Sequence, residues 1–220
     1  MILAAGRGER LRPLTDTTPK PLIKVKGIPL IVRHIMALKA AGISKIVVNS
    51  AHLSEQIVSA LGDGSQFGIS IIHSVEEKGG LETAGGIIKA LPHLSDTFLV
   101  VNGDTFIDMP YAKFLQSKLP HNIVAKLFLV KNPPHNLQGD FDLGEDKLLK
   151  YGGAYTFSGA ALYKKQAFAG FAPARLKLRP FFDEWIKDNR VQGEVITAPW
   201  FDVGTIERLT QIEEYLSKRV

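Results

Sequence analysis

Lys45-Ile46-Val47-Val48-Asn49 is an apolar, β-branched run without polar alternation, and Phe98-Leu99-Val100-Val101 repeats the pattern. A strand with one wet face alternates polar and apolar side chains, whereas a strand apolar on both faces has helices over both. Around these two runs, residues 2–5 and 69–73 form further short apolar stretches, while 30–41, 53–61 and 83–91 carry apolar residues at helical spacing. Strands alternating with helices in this way predict βαβ units and a mostly parallel sheet.

The second half changes character. Residues 123–130 read as a strand, 132–139 are turn-rich, and 155–163 are rich in aromatic and small residues, which predicts a mixed sheet here. Helical spacing returns at 178–189 and at 205–218, with Thr205 placed to cap the last helix. No repeat or linker divides the chain, and its 220 residues suit a single domain over 1–220 with room for a substrate cleft.

A formal charge of +5 raises the question of a nucleic-acid partner. The charge is concentrated, however: residues 1–26 carry Arg7, Arg10, Arg12, Lys20, Lys24 and Lys26 against Glu9 and Asp16, so +4 of the +5 lies there. A knot of positive charge beside glycines suits a small polyphosphate; a duplex needs basic residues spread along a face. No nucleic acid is therefore expected. The chain has no cysteine, which excludes a thiol nucleophile, a disulfide framework and a cysteine-ligated zinc. The apolar opening run is too short for a signal peptide, and nothing approaches the roughly 18 apolar residues of a membrane span, so the sequence reads as cytoplasmic.

The basic knot belongs to Leu3-Ala4-Ala5-Gly6-Arg7-Gly8-Glu9-Arg10-Leu11-Arg12-Pro13-Leu14-Thr15, followed by Pro19-Lys20-Pro21-Leu22. A strand here runs into a glycine-bearing loop whose N–H groups can face an anion while arginines and a lysine neutralise phosphate oxygens. It is neither the dinucleotide fingerprint, since Leu11 stands where the third glycine belongs, nor a Walker loop, since Gly-Lys-Ser/Thr is absent.

The segment closely resembles the signature of the sugar-nucleotide pyrophosphorylase family, and the resemblance continues at Val101-Asn102-Gly103-Asp104 and at Trp200-Phe201-Asp202-Val203-Gly204-Thr205. Leu81-Glu82-Thr83-Ala84-Gly85-Gly86, Gly139-Asp140-Phe141 and Thr156-Phe157-Ser158-Gly159 are similar to the short, muramate-type branch. The resemblance implies a Rossmann-like three-layer α/β fold with a mostly parallel mixed sheet, a nucleotide-binding half over about 1–109 and a sugar-binding half over about 110–220. It further implies Mg²⁺-dependent transfer from a nucleoside triphosphate, UTP favoured, to a sugar 1-phosphate, N-acetylmuramate 1-phosphate favoured, in cell-wall sugar recycling. A mannose 1-phosphate guanylyltransferase is the alternative.

Two anionic reactants repel one another, so a cation between them is needed. Mg²⁺ takes one or two carboxylates and fills its other positions with phosphate oxygens and water. Asp104, after an apolar strand, and Asp202 could supply those carboxylates from opposite sides of a cleft. By resemblance, Lys20 and Arg10 act with them in catalysis. The nucleotide would be held by Ala4, Ala5, Gly6, Gly8, Glu9, Arg10, Lys20, Glu82 and Gly85, and the sugar by Asn102, Asp140 and Gly159.

Other residues have plainer readings. Asp108 is expected to be a turn residue before Pro110, and His34, which shares a helical face with Leu30 and Leu38, a packing histidine. His52, His73, His93, His121 and His135 have no ligand spacing, and Phe181, Phe182 and Trp185 read as core. The family's Glu-Lys-Pro element is absent between Asp140 and Thr156, where Lys150 could stand in; relatives usually start a few residues earlier, so a short amino-terminal piece is expected to precede Met1. A rival of a different class is a non-catalytic nucleotide-sugar sensor on the same fold.

Overall fold

The computed structural model describes residues 1–77 and 79–218. Strands Ile2–Leu3, Lys45–Ser50, Ser70–Val75 and Thr97–Asn102 pair in parallel, with Ile2 beside Val48 on one side and Val101 on the other. Helices Leu30–Ala40, Ser54–Leu61 and Glu82–Ala90 connect them, close to the bounds that apolar spacing predicts. The sheet then becomes mixed. Strand Tyr155–Lys164 lies antiparallel to Thr97–Asn102 and to Ala125–Lys131, and Val191–Val195 runs parallel to the latter.

Apolar clusters cover both faces of this sheet. One packs Ile87 and Ile88 with Phe181, Phe182 and Trp185 of helix Arg179–Lys187, so the aromatic group is core as expected. The other packs Ile31, Ile35, Ile57 and Leu61 with Phe114. Helices on both faces of a mostly parallel sheet are the three-layer α/β architecture predicted from the two apolar runs.

A third cluster has consequences for the site. Leu11, Leu30 and Phe106 pack with Val203 and Ile212, the last from helix Ile206–Ser217. Burying a leucine such as Leu11 stabilises by about 1.5–3 kcal/mol, so this cluster ties the opening loop to the C-terminal helix. A small two-stranded ladder, Thr105–Ile107 with Trp200–Asp202, runs alongside; its three-residue strands were too short to be read from periodicity. No helix among the described residues is long and apolar enough to cross a membrane.

Candidate active site

The parallel strands all deliver their carboxyl ends to one side of the sheet. Leu3 leads into Ala4, Ala5 and Gly6, Val75 into Glu76, and Asn102 into Asp104, and all of these but Val75 line a cavity of about 370 Å³ together with Arg7, Lys20, Asn49 and Glu82. In open α/β sheets, ligands bind at this edge.

The opening loop is fixed from below. Gly8 has φ +68°, and a Cβ there would stand 2.9 Å from Thr15 Cγ2 and 3.1 Å from Lys20 Cβ, so the turn tolerates only glycine. Thr15 Oγ1 and Leu11 N both donate to the Gly8 carbonyl at 2.9 Å. Lys20 is 8% exposed in a short 3₁₀ turn after Pro19, and its Nζ donates to Asp104 Oδ2.

Asp104 follows a tight turn. Thr105 Oγ1 donates to the Asn102 carbonyl at 2.9 Å, and Gly103 N donates to the Leu3 carbonyl at 2.8 Å. His34, fully buried, approaches the Thr105 carbonyl with Nε2 at 2.8 Å and Tyr111 Oη with Nδ1 at 2.7 Å. A carbonyl only accepts, so Nε2 carries the proton and the tyrosine hydroxyl donates to Nδ1. Burial pushes this imidazole down to about 4 and lifts the Tyr111 hydroxyl above its ordinary range. His34 is thus a neutral brace under the Asp104 turn.

Asp202 reaches the same place from the other end of the chain. In the short ladder it stands opposite Thr105, and Val203 N donates to the Asp104 carbonyl at 2.9 Å. The two aspartates are therefore neighbours across antiparallel strands. Thr205 caps the last helix, accepting from Arg208 N at 3.4 Å, and the Arg208 guanidinium donates to Asp202 Oδ2. His135 Nε2 lies 2.9 Å from Asp202 Oδ1, an oxygen that is buried and accepts no hydrogen bond.

A second cavity of about 380 Å³ shares Asn102 and Asp104 with the first and adds Arg10, His135, Ser158, Gly159, Trp200 and Asp202. Its rim is a β-bulge between Phe157 and Ala161 in strand Tyr155–Lys164. There Gly159, φ +82°, lets the backbone approach Asn102, whose Nδ2 would lie 2.7 Å from an added Cβ. Two chambers thus meet at Asp104, one lined by the glycine loop and the other by the bulge.

A family model described as nucleotidyl transferase matches residues 1–141. The chain is 51% identical to the N-acetylmuramate alpha-1-phosphate uridylyltransferase of Neisseria meningitidis, over 97% of this chain and 96% of that one. The chain belongs to the nucleotidyl transferase family. This nucleotidyl transferase is also 30% identical, over 93% of its length, to the mannose-1-phosphate guanyltransferase of Gibberella zeae, of which it spans 60%. Its fold is shared by HddC from Yersinia pseudotuberculosis (TM-score 0.81, 23% identity, 98% and 97% of the two chains covered). The inositol-1-phosphate CTP transferase from T. maritima shares it too (TM-score 0.79, 20% identity, 99% and 94% covered).

The nucleotidyl transferase does not place every predicted residue in the two chambers. Ala4, Ala5, Gly6, Lys20 and Glu82 line the first, Gly8 shapes its loop from behind, and Asn102 and Asp104 line both. The Ala4 amide donates to Asn49 Oδ1 rather than facing the cavity. Arg10 lines the second chamber, not the first, and Glu9 is exposed and lines neither. Gly85 departs most from expectation: its N donates to the Leu176 carbonyl at 3.2 Å, and a Cβ there would collide with the Ala174 carbonyl. It is glycine because the 174–176 strap crosses the helix at that point.

Asp140 holds the bulge strand rather than lining a chamber, accepting from Phe157 N at 2.9 Å and from Asn136 Nδ2 at 3.3 Å. Lys150, the stand-in for the absent Glu-Lys-Pro lysine, lies over Gly144 and lines neither chamber. Asp108 accepts from Tyr215 Oη. Residue-by-residue reading missed Asn49, Glu76, His135, Trp200 and Arg208. Asn49 and Glu76 carried a signal, a polar residue closing or following an apolar strand at its carboxyl end; His135, in a turn-rich loop, carried none.

Proposed function

We propose that this enzyme transfers a uridylyl group from UTP to N-acetylmuramate 1-phosphate, releasing pyrophosphate. The observation that carries the reading is the 51% identity with the Neisseria meningitidis uridylyltransferase, which runs almost end to end in both chains. The geometry supports it: two chambers of the size that small-molecule sites take meet at one acidic point beside a buried lysine.

On this reading the triphosphate lies along the loop from Ala4 to Arg7, and the sugar 1-phosphate in the chamber bounded by Gly159, Trp200 and Arg10. A phosphate oxygen of the sugar forms a bond to the α-phosphorus as the bond to the β-phosphate bridging oxygen breaks, so pyrophosphate leaves and no protein nucleophile or proton transfer is required. Lys20 is placed to neutralise the charge that grows on the leaving group, and Arg10 to steady the incoming phosphate.

Asp104 and Asp202 would hold Mg²⁺. The donor set fits, since both are hard oxygen ligands lining one chamber and Asp202 Oδ1 is buried without a hydrogen-bond partner. Among the described residues no group of three or more His, Cys, Asp or Glu is gathered to hold a metal, so phosphate oxygens and water would complete the shell. Bound there, the ion would screen the repulsion between the two anionic reactants. Residues 1–220 act as one catalytic unit in this reading, working where UTP is available, in the cytoplasm.

Turnover assayed for each of UTP, GTP, CTP and dTTP against N-acetylmuramate, N-acetylglucosamine, glucose and mannose 1-phosphates tests the proposal, with UTP and N-acetylmuramate 1-phosphate expected to react fastest. Preference for GTP with mannose 1-phosphate would transfer the assignment to the second reading, which the Gibberella zeae relative favours. Binding without turnover for all pairs would instead make the chain a sensor.

A further inference from the structure

Asn49 and Glu76 stand at the carboxyl ends of two neighbouring parallel strands, Lys45–Ser50 and Ser70–Val75. Both line the first chamber, yet they are only 2% and 5% exposed, and the reaction as derived above uses neither. Their hydrogen bonds form a series. Ala4 N donates to Asn49 Oδ1 at 3.0 Å, Asn49 Nδ2 donates to Glu76 Oε1 at 2.7 Å, and Leu81 N donates to Glu76 Oε2 at 2.6 Å.

The series joins three parts of the chamber wall: the end of the opening strand, the strand ends beside it, and the start of helix Glu82–Ala90. The helix lies hard against the pair. A Cβ at Gly86 would stand 2.6 Å from Glu76 Oε1 and 2.7 Å from Asn49 Nδ2, a distance open only to glycine. A buried polar network with every member satisfied rigidifies its surroundings, and one left half-satisfied is costly.

The donor and acceptor types make the series directional. Asn49 supplies one acceptor and one donor, and Glu76 two acceptors, so every bond from Ala4 to Leu81 has the only polarity these residues permit. We infer that Glu76, acting through Asn49 and the Leu81 amide, is a positioning residue for the nucleoside end of the triphosphate, holding the Ala4–Ala5 wall at a fixed distance from the Glu82 lip. This rests on the reading that the nucleotide enters the first chamber. Neither side chain makes or breaks a bond in the transfer.

The polarity also supplies the test. Glu76→Gln keeps the shape but offers one oxygen to two donors, so either Asn49 or Leu81 loses its partner. Adding Asn49→Asp restores all three bonds: the carboxylate it introduces accepts from Ala4 N and from the glutamine amide, whose oxygen accepts from Leu81 N. Steady-state kinetics and thermal midpoints are measured for the wild type, Glu76→Gln and the double variant. An unsatisfied buried donor lowers a folding equilibrium by about tenfold to a hundredfold, which bounds what a displaced chamber wall passes on to nucleotide binding. The expected result is a KM for UTP raised by up to that factor in Glu76→Gln, with KM for the sugar 1-phosphate unchanged, and recovery in the double variant.

A KM for UTP that does not move in Glu76→Gln, or a double variant no better than the single, overturns the inference. Should Glu76→Gln fail to fold, the double variant decides alone, by wild-type KM for UTP or a raised one. Should the wild type turn over no pair of substrates, the functional reading fails by itself; UTP binding by calorimetry to the same three proteins then replaces KM, and absence of any weakening in Glu76→Gln overturns the positioning role.

Discussion

Lys20 Nζ donates to Asp104 Oδ2 across 84 residues of sequence, at the point where the two chambers join. On the proposed reading, a lysine this buried is held by its carboxylate until a phosphate offers an alternative partner, so the pair would pre-place a cation for the triphosphate.

Removing either partner should therefore cost more than the salt bridge itself. Asp104→Asn keeps a hydrogen-bond acceptor for Lys20 but removes one of the two carboxylates that would hold Mg²⁺ between the reacting phosphates, and turnover should fall by roughly 10²–10³-fold. Lys20→Met should raise KM for the triphosphate as well as lower kcat. Steady-state rates of pyrophosphate release give both numbers, and an Asp104→Asn protein with wild-type turnover would favour the sensor reading.

Divalent-ion removal provides a second check. Chelation by EDTA should abolish pyrophosphate release, and Mg²⁺ should restore it. In Asp202→Asn the concentration of Mg²⁺ needed for half-maximal rate should rise by about tenfold, since one of two carboxylate ligands is neutral. A magnesium titration of the two proteins that superimposes would remove Asp202 from the metal site.

Gly85 and Gly6 make a contrasting pair of alanine substitutions. An alanine methyl at Gly85 collides with the Ala174 carbonyl, so the strap must lift, at a cost of roughly 2–3 kcal/mol, from overpacking and from lost bonds to the helix start. At Gly6 nothing lies within 4 Å of an added Cβ, and stability should change by less than about 0.5 kcal/mol. Urea denaturation of both variants measures the difference; equal midpoints would show that the strap yields freely.

The neutral brace predicts a pH dependence. Burial holds His34 down to about 4 in the folded chain, against an ordinary value of 6.5. Between those values the unfolded chain binds a proton that the folded chain refuses, so stability declines as pH falls from 6.5 to about 4 and this contribution then levels off. The shift corresponds to on the order of 3 kcal/mol. Urea midpoints at pH 7.5, 5.5 and 4.0 should drop more steeply for the wild type than for His34→Gln; parallel decline would exclude the histidine as the source.

The fold was legible because its deciding signals are local. Residues 45–49 and 98–101 are apolar on both faces wherever they are placed, and Thr205 announces a helix start from its type and position alone. The site was legible only where a contiguous motif carried it, as in the loop from Gly6 to Leu11. Asp202 was proposed from its resemblance, but that it stands opposite Thr105 depends on a three-residue ladder with no periodicity to read. The approach of His135 to Asp202 depends on the path of a proline-containing loop, and the partners of Glu76 lie on three separate segments. Such juxtapositions are products of tertiary packing, which a linear pattern does not encode.

Three amides at the start of helix Glu82–Ala90 are engaged within the chain: the Leu176 carbonyl accepts from Ala84 N and Gly85 N, and the Glu76 carboxylate from Leu81 N. Helix starts ordinarily attract anions, but this one already holds a carboxylate and a carbonyl against its amides. On the proposed reading the Glu76 carboxylate held there, with the Glu82 side chain on the chamber wall, weakens the pull of this helix start on a triphosphate tail. With Lys20 and Arg7 at the other end, the first chamber is electrically lopsided, which on the proposed reading favours one direction of entry for the nucleotide.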